Sequence, residues 1–506
     1  MKRKLISLIL AVFMLFSVSA SAMYAGDYQN GRLSGLYMLS DGSMLVTDVY
    51  NKVLWHADRD KATIAAGNIN IADISGEPIA YYYDSSVERG YFTQPWDVVP
   101  FLDGYAVSDP DSNVVRFVTS ENLQTLGGTE IAGSADGRGS NASFDHPTGL
   151  AVDEENDILY IADTGNGAIR QMDRHGYVTT YVADLSEPTG LCFSKGALYV
   201  AETGKNRIVK ITQRKTEVIA GVYETIGEEY IGGYSDGPAA SAMFDHPEGV
   251  TVSDDGTIYV SDTLNHAIRM IKGDRVYTVA RSEDLVSMPV SPRGIVVSGA
   301  MLYAADVSAG DILELSLKKK SFPDLPGDKW YAADAEEAML RGIINGTSDN
   351  TFSPELSTTR AMFAAMLARM HRISYGNDVI DGDAAFPDVT DGAWFAPYAR
   401  WSADNGIVNG MSGRFMPDVS VTREQAVTML YRYAVNEGFD VSAGEDTNIL
   451  SYNDAMSVSE WAVPAMQWAC GAGIINGSDG NLMPQTAATR AQLVHIILGF
   501  MKVYGL

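Results

Sequence analysis

Cysteine, positive charge and long apolar runs are all scarce in this 506-residue chain. Its two cysteines, Cys192 and Cys470, fall in stretches of different repeat pattern, so no disulfide framework is available and both read as small buried hydrophobes. Lys and Arg number 37 against 64 Asp and Glu, a net charge of −27. That balance excludes nucleic acid as a partner and argues against loose attraction to any anionic polymer. No nucleophile motif, phosphate loop or cofactor fingerprint occurs. Low-complexity tracts are absent as well.

The one long apolar run, Leu5 to Val18, is short of the ~20 residues a membrane span needs. It follows Lys2, Arg3 and Lys4 and precedes Ala20-Ser21-Ala22, which together read as a secretory signal peptide over residues 1–22. Its removal takes away three cations and no acid, so −27 becomes −30. The expected mature protein is extracellular and lacks a transmembrane segment. If it binds an anionic glycan, local and well-aimed cations must do so.

What the chain has in abundance is repetition. The C-terminal third runs Phe322-Pro323-Asp324, Trp330, Gly342-Ile343-Ile344-Asn345-Gly346, Phe352-Ser353-Pro354, Thr359-Arg360. It runs again as Phe386-Pro387-Asp388, Trp394, Gly406-Ile407-Val408-Asn409-Gly410, Phe415-Met416-Pro417, Thr422-Arg423, and a third time as Tyr452-Asn453-Asp454, Trp461, Gly473-Ile474-Ile475-Asn476-Gly477, Met483-Pro484, Thr489-Arg490. The spacing from Asp to Arg is 36, 35 and 36 residues, a period that marks a repeat architecture. Ala426, Met429, Leu430 and Tyr433 form a helical stripe, and Pro397 to Asn405, closed by Gly406, reads as a second helix. Thr422 with Gln425 and Thr489 with Gln492 are capping boxes, whereas Thr359 is followed by Met362 and keeps only the N-cap.

These motifs resemble the S-layer homology domain, with copies expected over 322–374, 386–436 and 452–501. The resemblance implies a mainly α-helical triple-repeat domain that binds the secondary cell-wall polysaccharide of a bacterium, a peptidoglycan-linked polymer often carrying a pyruvate ketal. It assigns the ketal carboxylate to Arg360, Arg423 and Arg490. In the family the Thr-Arg motif usually ends in Glu, and here it never does. Asp324, Asp388 and Asp454 would accept sugar hydroxyls or orient loops, Trp330, Trp394 and Trp461 would stack on sugar faces, and Gly346, Gly410 and Gly477 would allow close backbone approach. A guanidinium at a helix N-terminus suits a carboxylate because it donates two parallel hydrogen bonds where free N–H groups already favour an anion. The competing reading makes the same residues structural: Trp as core, Asp as cap, Gly as turn and Arg as an internal ion pair.

A second repeat fills residues 23–318. Phe144-Asp145-His146-Pro147-Thr148-Gly149 with Asp163-Thr164-Gly165-Asn166 and Arg170 matches Phe244-Asp245-His246-Pro247-Glu248-Gly249 with Asp262-Thr263-Leu264-Asn265 and Arg269, and four weaker copies follow the same order. Short alternating apolar runs between Gly, Asp and Asn turns indicate antiparallel strands. The unit resembles the NHL repeat, which implies an all-β six-bladed propeller. Long insertions interrupt it at Ile69–Tyr91, Gly127–Asn141 and Gly221–Ala242. Lys318-Lys319-Lys320-Ser321 reads as a linker.

Gln94, His146, Glu187, His246 and Ser291 precede the inner strands and are expected to ring one mouth of the channel. His146, Glu187 and His246 are acceptable ligands for a divalent ion, Ca or Zn, although the recurring His-Pro equally satisfies a turn carbonyl, and Asp163, Glu202 and Asp262 read as turn caps. No cofactor is firmly implied and no catalytic residue stands out. The chain therefore reads as a secreted protein of the bacterial cell wall or S-layer whose propeller takes a protein, peptide or glycan. The alternatives are an extracellular metal-dependent lyase or hydrolase and a structural S-layer component.

Overall fold

The computed structural model describes residues 31–506 apart from 60, 70–77, 79, 81, 223, 227–228, 282–290, 318–321, 349, 376–381 and 384. The expected signal peptide, the expected 318–321 linker and parts of the first and third insertions lie outside the described residues. The chain divides into two compact units meeting at 318/319, each considered by itself below.

The first unit is a propeller of six antiparallel sheets. The first blade is four strands in sequence order, Leu33–Met38, Met44–Asp48, Val53–Ala57 and Ala62–Ala66. The innermost strands of the other five are Val98–Phe101, Pro147–Asp153, Pro188–Ser194, Pro247–Val252 and Pro292–Ser298. Each neighbours the next around the ring, and the last neighbours the first. Proline opens four of these strands because the first residue of an inner strand tolerates a missing N–H.

Glycine decides how tightly the ring closes. A Cβ at Gly149 would lie 1.9 Å from the Thr189 carbonyl, one at Gly249 2.0 Å from that of Arg293, and one at Gly294 2.2 Å from that of Ser34. Only hydrogen lets neighbouring inner strands approach this closely. The second blade has Asp97 at this position, and its carboxylate accepts the Leu150 N–H at 2.9 Å.

The threonine after the turn carboxylate, Asp163, Glu202 or Asp262, ties blade to blade. Thr164 donates to the Pro188 carbonyl at 2.7 Å, Thr203 to Pro247 at 2.6 Å and Thr263 to Pro292 at 2.7 Å. The insertions have a structural function that the repeat pattern did not disclose. Their ends, Ser85–Ser86, Gly137–Arg138 and Gly237–Pro238, each add a fifth strand to the outer edge of the following blade. A buried arginine clasps each one. Arg170 reaches Asp136 at 2.6 Å and Asp163 at 2.8 Å, Arg269 reaches Asp236 at 2.7 Å and Asp262 at 2.5 Å, and Arg116 reaches Asp84 at 2.8 Å.

Among its described residues the second unit contains six α-helices: α1 Ala332–Leu340, α2 Arg360–Tyr375, α3 Ala396–Asp404, α4 Arg423–Asn436, α5 Val463–Gly471 and α6 Arg490–Tyr504. The stripe Ala426, Met429, Leu430 and Tyr433 is buried, and Gly406 stops α3 in the left-handed region at φ 63°. Both capping boxes form, and Thr359 accepts the Met362 N–H at 3.3 Å without a reciprocal bond.

The three repeats share one core and close on each other. The second helix of each packs on the first helix of the next, α2 on α3, α4 on α5 and α6 on α1. Short bridges before the second helices, Thr359 to Ser420, Thr422 to Ala487 and Ser357 to Thr489, complete the cycle. Among the described residues no helix is long and apolar enough to cross a membrane.

Candidate functional site

Cyclic closure of the second unit builds grooves that no single repeat owns. Arg490 heads α6, but its Nε donates to the Phe352 carbonyl at 2.9 Å and an Nη donates to Asn345, both in the first repeat. Arg360 of the first repeat donates to Phe415 at 2.8 Å and Asn409 at 3.4 Å in the second. Arg423 of the second donates to Leu482 at 2.9 Å in the third. The remaining wall brings in the third partner. Trp394 lines a cavity of about 160 Å³ with Arg490 and Gly346, and Trp330 lines one of about 410 Å³ with Arg423 and Gly477. For Arg360 the corresponding tryptophan is Trp461, carried on a short turn, 460–462, that touches α4.

The structural alternatives for these residues separate cleanly. Trp330, Trp394 and Trp461 are 61%, 40% and 53% exposed, so none is core. Asp324 accepts the N–H groups of Phe352 and Ser353 at 2.9 and 2.6 Å, Asp388 those of Phe415 and Met416, and Asp454 those of Leu482 and Met483. These carboxylates therefore pin the loop whose carbonyl orients the arginine. Gly346 and Gly410 are needed because a Cβ would lie 2.5 and 2.9 Å from the rings of Phe322 and Phe386, and Gly477 because it is left-handed at φ 69°.

The arginines are the unusual feature. Arg360, Arg423 and Arg490 are 5%, 8% and 6% exposed, yet among the described residues none has a carboxylate within ion-pair distance. Burial lowers all three below the ordinary arginine value, Arg490 to about 10, and the more distant Asp388, Asp454 and Asp324 only partly offset this. A buried cation held by carbonyls alone is costly unless an anion joins it. The groove can accept a carboxylate on the free face of each guanidinium.

In the propeller, the channel encloses a cavity of about 210 Å³ whose lining includes Tyr37, Trp96, Asp97, Glu248 and Arg293. Arg293 stacks 3.9 Å over Trp96 and pairs with Glu248 at 2.5 Å. Gln94, His146, Glu187, His246 and Ser291 do not line this cavity. His146 and His246 turn instead to their neighbours Asp145 and Asp245, at 3.1 and 2.8 Å, while their N–H groups bond Asn113 and Asn206 of the preceding blade. Among the described residues no group of three His, Cys, Asp or Glu could hold a metal ion, so His146, Glu187 and His246 do not form a ligand set. The Asp163 and Asp262 turns do more than cap: each carboxylate is fully buried against an arginine seven residues on. The i to i+7 Asp–Arg spacing was the signal for that pair. Cys192 lines the channel and Cys470 sits beside Tyr452, each partly exposed rather than core.

The S-layer homology domain model matches residues 321–364, 385–427 and 451–494, and the NHL repeat model matches 144–172 and 244–269. The chain carries three S-layer homology domains behind an NHL-repeat propeller. Among curated relatives, Exoglucanase XynX of Acetivibrio thermocellus is 31% identical over 186 residues, 37% of this chain and 16% of that protein. The S-layer protein sap of Bacillus anthracis is 23% identical over 212 residues, 42% of this chain and 24% of that protein. The chain thus spans under a quarter of either relative. A solved structure of virginiamycin B lyase from Staphylococcus aureus covers 60% of this chain and 100% of its own, at 13% identity and a TM-score of 0.40. The S-layer homology domains and their relatives support a cell-surface or cell-wall location in a bacterium.

Proposed function

We propose that the chain is a surface protein held non-covalently on the cell wall, its S-layer homology domains gripping a pyruvylated secondary wall polysaccharide and its propeller displayed for a protein, peptide or glycan. The observation that carries this reading is the trio of buried arginines without carboxylates among the described residues, two of which, Arg490 and Arg423, line grooves walled by an exposed tryptophan. A ketal carboxylate supplies the missing countercharge through two parallel bonds, and the indole covers the sugar face. With a net charge of −27 the chain has no general attraction for an anionic polymer, so local cations must supply the countercharge. Three weak sites on one strand give avidity roughly 10²–10⁴ above any one of them.

The test is retention on purified cell-wall sacculi. Wild-type protein is expected to sediment with sacculi and to be released by chemical removal of the ketal. Simultaneous Arg360→Gln, Arg423→Gln and Arg490→Gln should abolish retention with the helical circular dichroism intact. Retention that survives the triple substitution would refute the carboxylate mechanism.

A further inference from the structure

The three grooves differ in charge, and the difference arises nine residues into the second helices. Nine residues are two and a half turns of α-helix, so a side chain there points away from the one that opens the helix. In α2 and α4 this position is Arg369 and Arg432, and in α6 it is Gly499. Arg369 therefore faces the groove headed by Arg490 and lines the same cavity. Its Nη1 donates to the Ile343 carbonyl at 3.4 Å, and Arg432 donates to the matching Ile407 carbonyl at 3.5 Å. Gly499 stands before the third matching carbonyl, where a Cβ would lie 3.5 Å from Ile474.

The consequence is two doubly cationic grooves and one singly cationic groove. Beyond burial, the like charge of Arg369 makes Arg490 harder to protonate, and that of Arg432 does the same to Arg360, while Arg423 has no such neighbour. Neither Arg369 nor Arg432 has a carboxylate partner among the described residues. The Arg423 cavity is larger than the Arg490 cavity, about 410 Å³ against 160 Å³, with Gln492 on its wall and His495 held there by Asp334 at 2.6 Å. A single carboxylate leaves the second guanidinium of a paired groove uncompensated, so those grooves favour two negative charges on one ligand.

We propose that the Arg490–Arg369 and Arg360–Arg432 grooves recognise a dianionic saccharide, a ketal carboxylate plus a phosphate on the same sugar, whereas the Arg423 groove takes a singly charged sugar. This rests on the wall-polysaccharide reading and sets which parts of the polymer the three grooves occupy.

Calorimetric titration of the full chain separates the two readings. The ligands are the methyl glycoside of a 4,6-pyruvylated N-acetylhexosamine and its 3-O-phosphate. The phosphorylated sugar is expected to fill two sites at least about tenfold more tightly than the unphosphorylated one, about 1.4 kcal/mol each. Arg369→Met should remove one tight site and Arg432→Met the other, with binding of the unphosphorylated sugar at the Arg423 groove unchanged. Gly499→Arg should create a third, and Arg369→Lys should retain part of the preference. Three equal sites for the phosphorylated sugar, or two tight sites persisting in the Arg369→Met, Arg432→Met double variant, would overturn the proposal and leave anchoring intact. Binding of neither sugar, together with unchanged sacculus retention after loss of Arg360, Arg423 and Arg490, would overturn both.

Discussion

Replacing Arg490 by Met should leave the C-terminal unit about as stable as before. The substitution removes the hydrogen bonds to Phe352 and Asn345 and the contact of the guanidinium with the Phe352 ring at 4.9 Å. Bonds from a charged donor are worth about 1.5–3 kcal/mol each. Against this stands relief from burying an uncompensated cation, an effective penalty of several kcal/mol. The two nearly cancel, and the expected net change lies within about 1.5 kcal/mol of zero, a midpoint shift of roughly 5 °C or less for a unit of this size. Arg269 in the propeller is equally buried but pairs with two carboxylates. Its replacement by Met strands Asp262, fully buried, and should cost about 3–5 kcal/mol. Hydrogen exchange of the full chain, read peptide by peptide under increasing denaturant, reports each unit separately. A loss of 3 kcal/mol or more in the C-terminal unit of the Arg490→Met variant would refute the reasoning, because the arginine would then be compensated within the protein and would need no external anion.

Two further outcomes follow from the propeller. Gly149→Ala puts a methyl 1.9 Å from the Thr189 carbonyl and forces two inner strands apart, so it should cost about 3 kcal/mol by thermal denaturation, whereas the control Gly327→Ala, in the C-terminal unit, meets no atom within 4 Å and should be near neutral. Burial in the channel pushes Asp97 from 3.8 up to about 6, its two backbone hydrogen bonds opposing this. The raised value means the folded state binds the proton more tightly, so this contribution is full below about pH 4 and is lost as pH rises through 6. Asp97→Asn removes the dependence, and wild type should lose up to about 3 kcal/mol relative to it between pH 4 and 8 in denaturant titrations. A pH-independent difference would show that the carboxylate is not desolvated.

Much of the architecture was legible because repeats constrain themselves. Asp163, Thr164 and Arg170 recur as Asp262, Thr263 and Arg269, and any role for one holds for the other. What the repeat could not reveal was direction. The histidines before proline are in register with the inner strands, but their backbone turns at φ 50° and 49° and their side chains meet the preceding aspartate rather than the channel lining. Hydrophobic periodicity carries no information about a left-handed residue at a strand's entrance.

The sequence by itself determined the inventory: two repeat families, their periods, the helix caps, and the pairing of one arginine, one aspartate, one tryptophan and one Asn-Gly turn per copy. Only the tertiary structure decided that the aspartate and the turn of one copy meet the arginine and the tryptophan of the other two. The arginine of one repeat reaches the loop of the next, and the tryptophan wall comes from the third, because each second helix packs on the following repeat's first helix and closes the ring. Local hydrogen bonds fix the elements of a repeat. Burial of their shared apolar faces fixes which copies become neighbours, and that is a property of three repeats together.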